Sequence, residues 1–288
     1  MARILLPEDY GTIAMLAIFI AISQSFVDSG FSNALIRKVD RTETDYSTVF
    51  YFNIVVGLFF YFILFFTSPF IAGFYSTPVL EPLTKVLGLS LLFNSLCVVQ
   101  QARLTINLNF KTQAVISLLS VLTSGTLGLW MAYSSYGVWA LAVQTVLQAA
   151  LRMILFWGLA KWKPTRKFSK VSFKEMFGFG SKILASGLLD TIYKNIYTII
   201  IGKCFSSTVL GYYSRADQFA QFPSSNLTGI MQRVTFPVLS AIQNEDERLR
   251  INYRKFLRLS AFIIFPLMIG LSALAAPFIE LLLTDKWA

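Results

Sequence analysis

Between Lys111 and Arg152 the chain runs for 40 residues, Thr112 to Leu151, without a single charged side chain. Crossing the roughly 30 Å hydrocarbon core of a bilayer takes about 20 apolar residues in helix. The run therefore predicts two membrane-spanning helices, joined by the turn Ala132-Tyr133-Ser134-Ser135-Tyr136-Gly137. Tyr46–Leu80 and Val86–Ala102 are likewise uncharged. The pattern divides the chain into about eight transmembrane helices, near 11–36, 48–68, 84–102, 112–132, 138–159, 177–202, 218–241 and 257–283. One such segment would fit a buried helix of a soluble protein, but eight in succession predict an all-α, polytopic membrane protein.

Composition excludes several kinds of chemistry. Of the 288 residues, 55% are hydrophobic and 14% charged, with a mean hydropathy of +0.61, whereas soluble domains carry about 25% charged residues. With no histidine, Ser-His-Asp triads, HExxH zinc sites and histidine general bases are impossible. Cys97 and Cys204 stand alone in apolar surroundings, without metal-ligand or redox spacing, and no GxxxxGK[ST] loop for a nucleotide occurs. No cofactor is expected.

The net charge of +10 is explained by where the basic residues fall. One set of alternate connections holds Arg37, Lys38, Arg41, Arg103 and Lys111. It continues with six basic residues between Lys161 and Lys174 and five between Arg248 and Arg258. The other set holds only Arg3, Lys85, Lys203, Arg215 and Lys286. The positive-inside rule makes the first set cytoplasmic, and no nucleic-acid partner is needed. Tyr10, Tyr75, Tyr133, Tyr136, Trp157, Trp162, Tyr212, Tyr213 and Trp287 lie near span ends and read as an interfacial belt.

Two short matches recur about 200 residues apart. Pro7-Glu8-Asp9-Tyr10-Gly11-Thr12-Ile13 aligns with Ser207-Thr208-Val209-Leu210-Gly211-Tyr212-Tyr213, and Ser68-Pro69-Phe70-Ile71 with Ala276-Pro277-Phe278-Ile279. The same order and sidedness predict tandem halves of about six helices, with a substrate site between them. On that register 1–160 is a first lobe lacking its first helix, 161–176 a basic cytoplasmic linker, and 177–288 the first three helices of a second lobe. The expected parent is two-lobed, with twelve or more helices.

Several stretches resemble the polysaccharide and O-antigen exporter flippases of lipopolysaccharide biosynthesis, within the multidrug/oligosaccharidyl-lipid/polysaccharide superfamily. They are Ala2-Arg3-Ile4-Leu5-Leu6-Pro7-Glu8-Asp9-Tyr10-Gly11, Asp28-Ser29-Gly30-Phe31-Ser32-Asn33-Ala34-Leu35-Ile36-Arg37, Phe177-Gly178-Phe179-Gly180, Leu210-Gly211-Tyr212-Tyr213 and Leu281-Leu282-Leu283-Thr284-Asp285-Lys286-Trp287. The resemblance covers essentially the whole chain. It implies a carrier that moves undecaprenyl-diphosphate-linked oligosaccharide across the bacterial inner membrane by alternating access. Membrane lipids, a polysaccharide polymerase and other assembly proteins are its implied partners. Members usually have a helix ahead of this chain's first and several after its last, so the sequence reads as a fragment.

Ionisable residues deep in a span cost roughly 2.5–3.5 kcal/mol each on insertion scales and ask for a reason. Lys182, Ser186, Asp190 and Lys194 fall on an arc of about 120° of one helix, with Asp190 and Lys194 spaced to pair. Lys182, Asp190, Lys194 and Arg233 are the candidate substrate-binding residues, the cations meeting the diphosphate. Pro223, Gly229 and Pro237 would loosen the helix that carries Arg233. Asp28 is a candidate for ion coupling or for the cavity wall, and Arg152 reads as a snorkelling arginine. The basic stretch from Lys161 to Lys174 is expected on the inner membrane surface. A multidrug or cation antiporter of the same superfamily is the alternative. A glycan polymerase or acyltransferase is disfavoured by short outer connections and the missing histidine.

Overall fold

A computed structural model describes residues 1–28, 30–38, 40–221, 225 and 245–287. Its elements are α1 (Pro7–Asp28), α2 (Phe31–Arg37), α3 (Glu43–Tyr75), α4 (Leu80–Ser95), α5 (Val98–Ile106), α6 (Phe110–Tyr133), α7 (Val138–Ala160) and α8 (Lys170–Cys204). Then come α9, helical over 207–221, α10 (Asp246–Ala273), α11 (Ala275–Leu282) and a final 3-10 turn, Asp285–Trp287. Among the described residues there is no strand.

Local chemistry sets the helix ends. Thr42 opens α3 with a capping box: its Oγ1 accepts from Asp45 N at 3.3 Å, and Asp45 Oδ2 accepts from Thr42 N at 2.7 Å. Asn109 caps α6 and Ser169 caps α8 in the simpler way, accepting from Thr112 N at 3.1 Å and Ser172 N at 3.2 Å. Ser76 and Lys161 end α3 and α7 in the left-handed conformation.

Six helical stretches among the described residues are long and apolar enough to cross a membrane: Pro7–Arg37, Glu43–Tyr75, Leu80–Ile106, Phe110–Tyr133, Val138–Ala160 and Glu247–Ala273. Of the remaining predicted spans, 177–202 lies within α8. That helix has 35 residues, ample to cross, but its polar stripe makes it less apolar than the six. The other, 218–241, lies almost wholly outside the described residues. Large side chains such as Phe59, Phe62, Phe66 and Phe70 on α3 and Leu118, Leu122 and Trp130 on α6 are exposed. Lipid, as apolar as they are, is the solvent that accounts for them.

Arg3–Leu210 forms a compact unit. In it α3 packs on α4, α4 on α7, α6 on α7, and α1 on both α4 and α8. The α6 contact is built on small residues every fourth position: Ser120, Ser124, Gly128 and Ala132 are buried, and a Cβ added at Gly128 would sit 3.1 Å from the Gln144 Cβ. Small faces let helix backbones approach where no hydrophobic force acts between helices.

Two of the six spans are broken in mid-course. The first breaks between α1 and α2 at Gly30, whose φ of +68° is left-handed. A Cβ there would lie 2.6 Å from the Gly180 carbonyl oxygen of α8, so both the conformation and the space require glycine. The other breaks between α4 and α5 at Leu96 and Cys97. The freed Leu96 carbonyl accepts from Trp157 Nε1 at 3.1 Å. With the buried Gln100 amide assigned by its hydrogen bonds, it also accepts from Gln100 at 2.7 Å.

The described residues of Gly211–Ala288 form a second unit. Tyr212 donates to Lys286 O at 3.1 Å, and its ring meets Trp287 edge-on at 6.0 Å. The predicted aromatic belt is corrected in part. Tyr133, Tyr136 and Tyr212 are exposed, but Tyr10, Tyr75, Trp162 and Trp287 are buried, because their rings fill helix junctions rather than facing the interface.

Candidate functional site

At both breaks the polar side chains turn toward one cavity of about 650 Å³ inside the first unit, within the range of about 300–1,000 Å³ that holds small ligands. From α1 it is lined by Gln24, Ser25 and Asp28, and from α2 by Ser32 and Asn33. Asn94 and Gln101 come from α4 and α5, Arg152 from α7, and Gly187, Asp190 and Thr191 from α8. Broken helices explain the position of these groups. A continuous apolar helix satisfies its own backbone, whereas a break admits polar side chains at membrane depth only where it lines a cavity.

A relay crosses the cavity wall. Asn94 Nδ2 donates to Gln24 Oε1 at 3.0 Å, and Gln24 Nε2 donates to Asp28 Oδ1 at 3.0 Å. The hydroxyls of Ser25 and Thr191 meet at 3.0 Å, joining α1 to α8. Arg152 is near enough for its charge to act on the Asp28 carboxylate. Its Nε is buried with no hydrogen-bond partner, and among the described residues Arg152 makes no ion pair. Its snorkelling reading is thereby corrected: α7 packs on α1, α4 and α5, which turns residue 152 to the cavity.

The predicted site residues separate into groups. Asp28 and Asp190 line the same cavity. Lys194 pairs with Asp190 at 2.7 Å, both side chains more than half exposed. Lys182 is exposed and does not line the cavity. Arg233, with Pro223, Gly229 and Pro237, lies outside the described residues. Sequence reasoning misassigned Arg152 to snorkelling and passed over the carboxamides Gln24, Asn33, Asn94 and Gln101. Their signal was available: amides inside otherwise apolar spans are as much in need of a reason as charges.

At the basic end of the same unit the connections converge on the start of α3. Lys38 bridges Asp45 at 3.3 Å and Glu175 at 2.8 Å, and the Glu175 carboxylate holds the Lys38 ammonium above its ordinary range. Arg103 pairs with Glu43 at 3.2 Å, and Trp162 Nε1 donates to Glu43 Oε2 at 2.7 Å. Thr165 N and Ser169 N donate to Ser47 Oγ and Thr48 Oγ1. The basic stretch is thus clamped to the protein, with Trp162 buried in the core. Lys161, Lys163, Arg166, Lys167, Lys170 and Lys174 remain exposed.

All 288 residues match the family described as polysaccharide biosynthesis protein. The chain is 31% identical to the teichuronic acid biosynthesis protein TuaB of Bacillus subtilis (strain 168), over 92% of this chain and 55% of that protein. It is 27% identical to the lipopolysaccharide biosynthesis protein WzxC of Escherichia coli (strain K12), over 100% of this chain and 59% of the relative. For the succinoglycan biosynthesis transport protein ExoT of Rhizobium meliloti (strain 1021) the figures are 25%, 100% and 58%. The chain spans a little over half the length of these relatives. No solved structure matches it. On a match that runs its whole length, this multi-pass membrane chain belongs to the polysaccharide biosynthesis protein family.

Proposed function

We propose that the protein carries undecaprenyl-diphosphate-linked oligosaccharide across the bacterial inner membrane by alternating access, as a transporter and not an enzyme. The observation that carries this reading is the polar cavity at two helix breaks within a bundle of apolar spans. An oligosaccharide needs such a wet path through the bilayer, and a diphosphate needs cations beside it. Relatives named for teichuronic acid, lipopolysaccharide and succinoglycan biosynthesis support the class of cargo. In this proposal 1–160 belongs to one lobe and 177–288 to the other, joined by the basic linker 161–176. The cavity, where α8 faces α1, then opens between lobes. Lys182, Lys194 and Arg233 are assigned to the diphosphate, with Asp190 holding Lys194, and Asp28 to the cavity wall or to a coupling ion. The end bearing the basic connections faces the cytoplasm, and polysaccharide polymerase and assembly proteins are the expected neighbours.

The test is leaflet-to-leaflet movement of a labelled undecaprenyl-diphosphate sugar in proteoliposomes, with the protein beside Lys194→Ala and Arg233→Ala. Transport that falls at least tenfold in both variants, about 1.4 kcal/mol of barrier each, is the expected result. Two carboxylates on the cavity, Asp28 and Asp190, favour a cation antiporter as the second reading. Proton-coupled efflux of organic cations, lost in Asp28→Asn and without movement of any lipid-linked glycan, would establish that reading instead.

A further inference from the structure

Charges around the cavity nearly cancel. Asp28 and Asp190 are its carboxylates and Arg152 its cation, while Lys194 neutralises Asp190 at 2.7 Å. A diphosphate brings at least two negative charges and would find one unpaired guanidinium facing it, beside an aspartate. A free cation would meet Arg152. Neither charged class fits the near-neutral set as well as an uncharged, polyhydroxylated group does.

The hydrogen-bonding inventory agrees. Each sugar hydroxyl both donates and accepts, so a sugar site needs both kinds of group, closely spaced and fixed. Carboxamides supply one acceptor and two donor hydrogens on a planar group. Here four of them converge from four elements: Gln24 on α1, Asn33 on α2, Asn94 on α4 and Gln101 on α5. Gln24 and Asn94 are held by the relay to Asp28. Asn33, Gln101 and Ser32 make no side-chain hydrogen bond among the described residues, and Arg152 Nε is buried without a partner. Polar groups left open at membrane depth are costly unless water or a ligand meets them. Val98, Ile183 and Leu184 add apolar wall against which the C–H face of a sugar ring packs.

We infer that this cavity is the subsite for the sugar rings of the cargo, not for its diphosphate, with Asn33, Gln101, Arg152 and Asp28 as the groups that read the hydroxyls. The inference rests on the reading of the protein as a carrier of lipid-linked oligosaccharide. It puts recognition of the glycan at the helix breaks and leaves the diphosphate to cations outside this cavity.

The test compares binding of two lipids to the protein in nanodiscs. One is undecaprenyl diphosphate without sugar, and the other is the undecaprenyl-diphosphate-linked oligosaccharide extracted from cells that carry the gene. The native protein should bind the sugar-bearing lipid at least about tenfold more tightly, since groups built to bond hydroxyls are left unpaired without them. Gln101→Ala and Arg152→Gln should reduce that advantage to less than about threefold and leave affinity for the bare lipid unchanged. Gln101 is exposed to the cavity without an internal side-chain bond, so its variant keeps the fold even if Arg152→Gln does not. Variants that weaken both lipids alike would make this a diphosphate site, overturning the inference and sparing the carrier. Unchanged binding of both lipids by the variants, or equal binding of the two by the native protein, would make the cavity a water-filled void. Failure of the native protein to bind either lipid would overturn the carrier reading itself.

Discussion

Gly30 shows how one residue sets the shape of the cavity. Its φ of +68° and the Gly180 carbonyl 2.6 Å from where a Cβ would stand mean that Gly30→Ala is strained twice. The left-handed conformation alone costs about 1–2 kcal/mol for a residue with a Cβ, and α8 must also move. The expected outcome is a lower thermal midpoint in detergent than for the neighbouring Ser32→Ala, read by ellipticity at 222 nm. Lys38 makes a second prediction. It bridges Asp45, whose side chain is 2% exposed, and Glu175, which is 59% exposed. Glu175→Ala therefore removes a surface pair worth under about 1 kcal/mol. Lys38→Met strips a buried carboxylate of its cation and should cost about 1–3 kcal/mol. The raised pKa of Lys38 fixes the sign of its pH dependence. Its contribution is full below the unfolded value of 10.5 and is lost as pH climbs through the folded value, so the cost of Lys38→Met should be constant between about pH 6 and 9. Denaturation of both variants across that range checks it. Asp28 and Asp190 were legible as candidates because charge in a span is conspicuous, and both line the cavity. Arg152 was misread, because depth along a helix can be counted from sequence but the direction faced cannot.

At the scale of elements, the apolar runs read correctly as helices because in lipid only a helix satisfies the backbone of a lone segment. The breaks in them were not legible. Span 84–102 was read as one piece, and nothing as blunt as proline marks the interruption at Leu96 and Cys97. It is stabilised instead by Trp157 from α7 and by the buried Gln100, contacts that only the folded bundle brings together. The small-residue face of α6 was present in the sequence at four-residue spacing and passed unread. It carries a prediction: Ser124→Leu, at a fully buried position, overpacks the α6–α7 contact and should cost about 1–3 kcal/mol. By contrast Leu122→Ile, a volume-conserving swap on the exposed face, should leave the thermal midpoint where it is. A clear loss of stability at Leu122→Ile with none at Ser124→Leu would contradict the packing described for α6.

For the whole molecule, the feature that joins sequence to proposed function is α8. Its stripe of Lys182, Ser186, Asp190 and Lys194 predicted a polar face; α8 packs along α1, and of the four only Asp190 lines the cavity, beside Thr191. The repeat that made α8 the opening helix of a second half rested on short matches, and the partition into lobes remains the proposal. The central claim is that the cavity at the breaks opens alternately to the two sides of the membrane. It is tested most directly by placing a single cysteine at Asn33, with Cys97 and Cys204 changed to serine, and labelling it with a membrane-impermeant maleimide. Right-side-out and inside-out vesicles are compared, with and without undecaprenyl-diphosphate-linked oligosaccharide. The account predicts labelling from both sides, with the balance between them shifted by the lipid-linked sugar. Labelling from neither side, or from one side regardless of ligand, would contradict it.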